Sequence, residues 1–199
     1  MDLERVVAHD AVGISDEERE AAVLAPVITR SGDHHLLFTK RADHLGEHPG
    51  QMSFPGGGRE PSDDGLQATA LREANEEIDL DPGAADIVGR LDDIRTVTRY
   101  SVRPYVARVP DDEYTPDERE VAEIAILAVD DLIDLTNYES ERRDHPHYGD
   151  IRLHFFNVDG YTVWGATARI LVQLLQLATD CEMPAEVDRE VDPDADLPV

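Results

Sequence analysis

The sequence predicts a mixed α/β fold in which a central sheet with mixed strand directions lies between layers of helices. Strand-like segments outnumber helical ones, and the two kinds do not alternate strictly along the chain. The length of 199 residues fits a single domain with a substantial hydrophobic core. Because strict alternation is absent, the pattern argues against a doubly wound parallel sheet.

The individual elements follow from local patterns in chain order. Residues 1–20 are charged and predict an N-terminal helical segment with a turn, in which Ser15 would cap a helix at the acidic residues that follow it. Strands are expected at residues 22–29, 35–40, 86–91, 102–109, 122–129, 151–158 and 161–164, with a hairpin turn at 31–33. Helices are expected at residues 66–78, 130–135 and 166–178. Residues 182–199 are acidic and contain proline, so they predict a flexible tail beyond a domain spanning residues 21–181.

Acidic side chains dominate the composition. The chain has 44 Asp and Glu against 18 Lys and Arg, with a net charge of −26, and Lys40 is the only lysine. Such a surface repels itself at low salt, and the repulsion is relieved as the Debye length falls to about 3 Å at 1 M. We therefore expect a halophilic source and a requirement for high salt. The charge also argues against a nucleic-acid partner, because phosphate affinity depends on clustered cations.

The sequence also excludes other classes of protein. No apolar run approaches the roughly 20 residues of a membrane-spanning helix, and the first residues do not resemble a secretory signal. A single cysteine, Cys181, excludes an internal disulfide framework. We expect a cytoplasmic protein that binds a small molecule and neither nucleic acid nor a membrane. The oligomeric state stays open, with a homodimer among the alternatives.

Three glutamates in the predicted helix 66–78 suggest a metal site. Glu73, Glu76 and Glu77 fall at positions i, i+3 and i+4, so that their like charges share one helix face. Mg²⁺ or Mn²⁺ would relieve the repulsion, and these ions commonly bridge carboxylates and phosphates. Glycines 56–58 lie upstream, where backbone can approach a ligand closely. The pattern predicts metal-assisted attack of water on a phosphate chain, whereas the alternative is a solvated acidic face.

This segment resembles the signature of the Nudix hydrolases. The matching residues are Gly58, Arg72, Glu73, Ala74, Glu76, Glu77 and Leu80. Asp64 stands at the first glutamate position of the signature, and Asp79 stands at its last glycine position. Aspartate tolerates a left-handed helix end better than most residues do.

The resemblance implies a Nudix-type α/β/α sandwich and a set of residue roles. Glu76 and Glu77 would be the principal metal ligands, and the carbonyl of Gly58 would complete the coordination. Glu73 would bind metal or act as the base, oriented by Arg72. Which glutamate is the base stays open, so the catalytic candidates are Glu73, Arg72 and Glu77.

The residues before the glycines resemble the coenzyme A diphosphatase branch of that family. The matches are Arg41, His48, Gly50, Gln51, Phe54, Pro55, Gly56 and Gly57, whereas Gly46 replaces a second arginine of the branch. Residues 164–171 resemble the C-terminal helix motif of the branch. An acidic stretch around residues 120–123 resembles another of its features, from which Glu120 or Glu123 would reach the metals. Lys40 and Arg41 form a positive island beside the glycines.

Together, these matches imply hydrolysis of the diphosphate bond of coenzyme A or its derivatives, yielding 3′,5′-ADP and 4′-phosphopantetheine. The candidates for substrate binding are Lys40, Arg41, His48, Gln51, Gly56 and Gly57. Two alternatives remain: a Nudix hydrolase acting on ADP-ribose or a dinucleotide, and a nucleotide-binding module without catalysis.

Overall fold

The computed structural model describes residues 1–46, 49–96, 98–145 and 149–192. The helices are α1 (Glu4–Val7), α2 (Leu66–Ile78), α3 (Val129–Ile133) and α4 (Gly165–Ala178), with short 3₁₀ turns at Pro82–Ala84 and Leu135–Asn137. The strands are β1 (Arg19–Arg30), β2 (Asp33–Arg41), β3 (Met52–Ser53), β4 (Gly56–Gly58), β5 (Asp86–Arg90), β6 (Ile94–Arg95), β7 (Tyr100–Arg108), β8 (Val121–Ala128), β9 (Tyr138–His145), β10 (Gly149–Val158), β11 (Tyr161–Trp164) and β12 (Arg189–Val191). Within these ranges, no helix combines the length and apolar character needed to cross a membrane.

An eight-stranded mixed sheet forms the centre of the fold. Its main order is β3-β2-β1-β7-β5, and β8, β4 and β6 pair with β2, β1 and β7 respectively. The pairing of β1 with β7 is parallel, whereas the other pairings in this sheet are antiparallel. The predicted hairpin turn joins β1 to β2, and Ser31 and Gly32 both adopt positive φ angles there. The predicted mixed sheet is thus confirmed.

Helices cover both faces of this sheet. Side chains alternate along β1, so that Leu24 and Ile28 pack beneath α2 while Ala25 and Val27 join the core on the α4 side. On α2, the apolar stripe of Leu66, Ala70, Ala74 and Ile78 is buried against the first of these faces. The α/β/α sandwich expected from the sequence is therefore present.

A second sheet, ordered β11-β10-β9-β12, was only partly expected. The sequence did not predict β9, whose inward residues are charged: Glu141 and Arg143 are both buried and form an ion pair of 2.9 Å. Arg189 of β12 also contacts Glu141, at 3.1 Å. Residues 189–191 pair with β9 although the sequence predicted a flexible tail from residue 182, because this charge pairing fixes them. Residues 193–199 of that tail lie outside the described residues.

The N-terminal segment also differs from the prediction. Helix α1 spans only Glu4–Val7, and no helix follows Ser15; the chain enters β1 at Arg19. The backbone amides of Val12 and Ile14 donate to the carboxylates of Asp92 and Asp93, at 2.8 and 2.9 Å. These bonds hold the segment extended against the sheet, so tertiary contacts override the local capping pattern.

Candidate active site

Helix α2 carries the predicted glutamates and has the predicted bounds. It ends at Asp79, which adopts a left-handed conformation with φ 56° and donates its amide to the carbonyl of Asn75 at 3.0 Å. Aspartate therefore takes the backbone conformation that glycine favours at a helix end. The expectation that Asp79 tolerates this position is confirmed.

The glycine strand β4 runs beside α2. The amide of Gly56 donates to Oε2 of Glu77 at 3.3 Å. A Cβ atom at Gly57 would lie 2.4 Å from Oε1 of Glu73, so a side chain cannot fit there without moving this carboxylate. The glycines thus allow the helix carboxylates to approach the strand backbone closely.

Arg72 joins the components of the site. Its Nη1 donates to Oε1 of Glu73 and to Oε2 of Glu76, both at 3.0 Å, and its Nη2 donates to the carbonyl of Gly58 at 3.1 Å. The predicted role of Arg72 in orienting Glu73 has a geometric basis in these contacts. They also use the Gly58 carbonyl as an acceptor for the guanidinium.

Asp63, which the sequence pattern does not single out, holds Arg72 from the other side. Its two carboxylate oxygens accept from Nε and Nη2 of Arg72 at 3.0 and 3.1 Å, and its side chain is only 5% exposed. The hydrogen bond from Arg72 holds the pKa of Asp63 well below its usual range. Asp64, to which the signature register pointed, is exposed. Asp63, one residue before that signature position, is the acidic residue that contacts Arg72.

A loop before β8 brings a further carboxylate to the site. The amides of Thr115 and Asp117 donate to the carbonyls of Ile78 and Glu77, which fastens this loop to the end of α2. Glu120 then lines a small depression together with Glu73, Glu76, Glu77 and Asp117. Glu123 instead accepts a hydrogen bond from the hydroxyl of Tyr161. Of the two alternatives, the structure brings Glu120 to the helix glutamates.

Negative charge accumulates in this depression. Burial, followed by the charge of Glu73, raises the pKa of Glu77 to about 8, although the Gly56 amide and Arg41 oppose the shift. Burial also raises the pKa of Glu73, against the lowering effect of Arg72. The charge of Glu120 contributes to both shifts. The surroundings of the site therefore oppose the ionisation of Glu73 and Glu77.

The donor set fits a divalent cation chemically, because carboxylate oxygens are the ligands that Mg²⁺ and Mn²⁺ prefer. In the part of the chain that the structure describes, no three acidic or histidine side chains are already gathered closely enough to surround an ion. Arg72 engages the carboxylates of Glu73 and Glu76. The acidic depression is thus suited to a metal by charge and donor type, and Glu73 and Glu76 each keep one carboxylate oxygen that does not accept from Arg72.

The predicted substrate-binding residues divide between two faces of the sheet. Arg41 lies close enough to Glu77 to lower its pKa. Side chains alternate along β2, so Lys40 lies on the same face as Leu36 and Phe38, which is the α4 face. It pairs there with Glu123 of β8. The side chain of Gln51 also points towards α4, because a Cβ at Gly165 would lie 3.3 Å from its Nε2. His48 lies outside the described residues.

Comparisons with known proteins identify a family model and relatives that match this chain. Residues 18–148 match the family model described as the NUDIX domain. The chain is 39% identical over 160 residues to the Nudix hydrolase NudL of Enterobacter sp., covering 78% of this chain and 81% of that protein. It is 37% identical over 160 residues to NudL of Escherichia coli O7:K1, with coverage of 78% and 81%.

Solved structures are also among the matches. One is a Caenorhabditis elegans Ap4A hydrolase in a binary complex, with TM-score 0.48, 20% identity and coverage of 58% of this chain and 83% of that one. Another is the NUDIX domain of Shewanella oneidensis NrtR complexed with ADP ribose, with TM-score 0.47, 16% identity and coverage of 63% and 79%. The family model and the NudL relatives show that the chain belongs to the Nudix hydrolases, enzymes that use divalent metal ions to hydrolyse diphosphate bonds.

Proposed function

We propose that this enzyme hydrolyses the diphosphate bond of coenzyme A or its derivatives and releases 3′,5′-ADP and 4′-phosphopantetheine. The observation that carries the proposal is that Arg41, a residue of the coenzyme A signature, is close enough to Glu77 of the acidic depression for its charge to lower the pKa of that carboxyl. A cation at this point can contact a diphosphate whose bridging bond lies over the carboxylates. Of the other signature residues, Gly56 and Gly57 belong to the glycine strand itself, and Phe54 and Pro55 lead directly into it.

In this proposal, Glu73, Glu76 and Glu77 hold Mg²⁺ or Mn²⁺, and Glu120 rather than Glu123 supplies the further carboxylate. The carbonyl of Gly58 has a second lone pair beyond the one that accepts from Arg72, so it stays in the proposed ligand set. When bound, the ion polarises the phosphoryl oxygens and lowers the pKa of water.

The residues of the chain have separable roles in this mechanism. Asp63 fixes the guanidinium of Arg72, and Arg72 in turn limits the orientation of Glu73. Glu73 and Glu77 are the two candidates for the base that accepts a proton from the attacking water, because both have raised pKa values. The low exposure of Glu73, at 15% of its side chain, limits access of bulk water to this carboxylate.

The substrate-binding residues extend from the depression across the sheet. Arg41 and the backbone of Gly56 and Gly57 would contact the diphosphate. Lys40 and Gln51, on the α4 face, would contact a more distant part of the substrate, together with His48. A substrate as long as coenzyme A can span both faces, whereas inorganic diphosphate cannot.

A second candidate is hydrolysis of another nucleoside diphosphate derivative, such as ADP-ribose or a dinucleotide. Gly46 favours it, because the coenzyme A signature carries an arginine at that position. A binding module without catalysis is the third candidate, but the complete glutamate triad beside Arg72 opposes it.

The test is turnover of coenzyme A with Mg²⁺ or Mn²⁺ in about 2 M KCl, a concentration chosen to screen the acidic surface. Release of 3′,5′-ADP is followed, with a chelated sample as control and with ADP-ribose and a dinucleotide as competing substrates. Glu77→Gln should lower the rate by about 10²–10⁴ through loss of metal positioning. Preference for ADP-ribose would favour the second candidate, and a folded protein with no metal-dependent turnover would favour the third.

A further inference from the structure

Arg19 lies over an aromatic ring at the end of two neighbouring strands of the central sheet. It is the first residue of β1 and stands in parallel register with Tyr100, the first residue of β7. Its guanidinium carbon is 4.1 Å from the centroid of the Tyr100 ring. At this distance, the cation–π attraction restrains the guanidinium at the surface.

The charge of Arg19 has no carboxylate partner within the described ranges. This is unusual in a chain with 44 acidic and 18 basic residues, because most of its arginines form ion pairs. Glu20, the next residue, is engaged by Arg59 at 2.8 Å. Arg19 is exposed and thus keeps its N–H donors available to a ligand.

The pair of Arg19 and Tyr100 borders the glycine strand of the candidate active site. A Cβ at Gly58 would lie 3.9 Å from Cε1 of Tyr100, and the carbonyl of Gly58 accepts from Arg72. The alternation of β1 puts Arg19 on the α4 face, whereas the glutamates lie on the α2 side. Between the two stands β4, which consists of glycine and projects no side chains, so a ligand can cross it.

We propose that Arg19, held on the Tyr100 ring, binds a phosphate group of the nucleotide half of the substrate, outside the diphosphate that is cleaved. This inference rests on the proposed function, and in coenzyme A the group is the 3′-phosphate of the ribose. A guanidinium presents paired donors that match the oxygens of a phosphate monoester. The site therefore distinguishes substrates that carry this phosphate from those that lack it.

The experiment compares coenzyme A with 3′-dephospho-coenzyme A as substrates of the Mg²⁺-loaded enzyme. In the wild type, KM for coenzyme A should be about tenfold lower than KM for 3′-dephospho-coenzyme A, because one charge-assisted hydrogen bond commonly strengthens binding by about this factor. Arg19→Gln should raise KM for coenzyme A by about tenfold and leave KM for the dephosphorylated substrate and kcat within about twofold. Arg59→Gln, the control, removes a neighbouring arginine that is already paired with Glu20, and it should keep the preference for coenzyme A over 3′-dephospho-coenzyme A. Arg19→Lys retains the charge and should therefore show part of this preference.

The inference is overturned if the wild type shows no preference or if Arg19→Gln changes KM for both substrates equally. Should the enzyme not hydrolyse coenzyme A, the proposed function fails, and calorimetric binding of 3′,5′-ADP and 5′-AMP then decides the inference separately. Tighter binding of 3′,5′-ADP that is lost in Arg19→Gln would support the phosphate site. Equal binding of the two nucleotides by the wild type would overturn it.

Discussion

Replacing Glu77 by glutamine should stabilise the metal-free protein at neutral pH, although it should remove most of the activity. The pKa of this buried carboxyl is raised from its ordinary value of 4.5 to about 8. Between these two pH values, the folded state holds a proton that the unfolded state has released. The free energy of unfolding therefore falls as the pH rises from 4.5 to about 8.

The size of the effect follows from the shift. One proton contributes about 1.36 kcal/mol per pH unit, so the destabilisation by Glu77 reaches about 3 kcal/mol at pH 7 and about 4 kcal/mol at pH 8. Glutamine resembles the protonated carboxyl in size and carries no charge, so the variant does not have this penalty. The difference in stability between Glu77→Gln and the wild type should be near zero at about pH 4.5 and should grow with pH.

Urea unfolding at several pH values, in about 2 M KCl with a chelator, measures this difference. Glu76→Gln is the matched control, because the Glu76 side chain is 57% exposed and its removal relieves no buried charge. Adding Mg²⁺ or Mn²⁺ should reverse the order of stability, since the ion stabilises the wild type that binds it. A stability difference between Glu77→Gln and the wild type that does not change with pH would refute the reasoning.

Three further changes test the site and its surroundings. Asp63→Asn should lower kcat/KM by about 10- to 100-fold, because it removes the carboxylate that holds Arg72. Asp64→Asn should match the wild type, and similar losses in both variants would refute the role of Asp63 in positioning Arg72. Gly57→Ala should displace the Glu73 carboxylate and lower kcat by about 10²-fold, while Gly58→Ala, which meets no atom closer than 3.9 Å, should have a smaller effect in the same assay. Raising KCl from about 50 mM to about 2 M should increase the thermal midpoint in calorimetry, and full stability at the lower concentration would contradict salt adaptation.

The parts of the fold that depend on local pattern could be predicted from the sequence. Helix α2 has the predicted bounds because its apolar stripe recurs at helical spacing over more than three turns. The β1–β2 turn was predictable from the sequence Ser31-Gly32, because glycine accepts a positive φ angle without steric cost. Strand β9 was not predictable in this way, because its buried Glu141 depends on Arg189, which lies 48 residues later in the chain. Such a pairing leaves no periodic signal in the sequence.

A similar division applies to the candidate site. The glutamates of α2 share a face by helical geometry alone, so their convergence could be read from their spacing. The choice between Glu120 and Glu123 depends on how a loop is fastened to the end of α2, which spacing does not encode. The separation of Lys40 from Arg41 could have been anticipated, since adjacent strand residues point to opposite faces of a sheet.

The closure of the N-terminus onto the last helix limits when this protein can fold. The amide of Asp2 donates to the carbonyl of Ala178 at 2.6 Å, and Leu3 and Val6 belong to the same core cluster as the buried residues of α4. The parallel pairing of β1 with β7 likewise joins segments about 80 residues apart. Such non-local contacts slow folding, because long loops must close before they contribute stability. During synthesis, the core around β1 is therefore complete only after α4, near the end of the chain, has been made. A chaperone that shields β1 in that interval would raise the yield of folded protein.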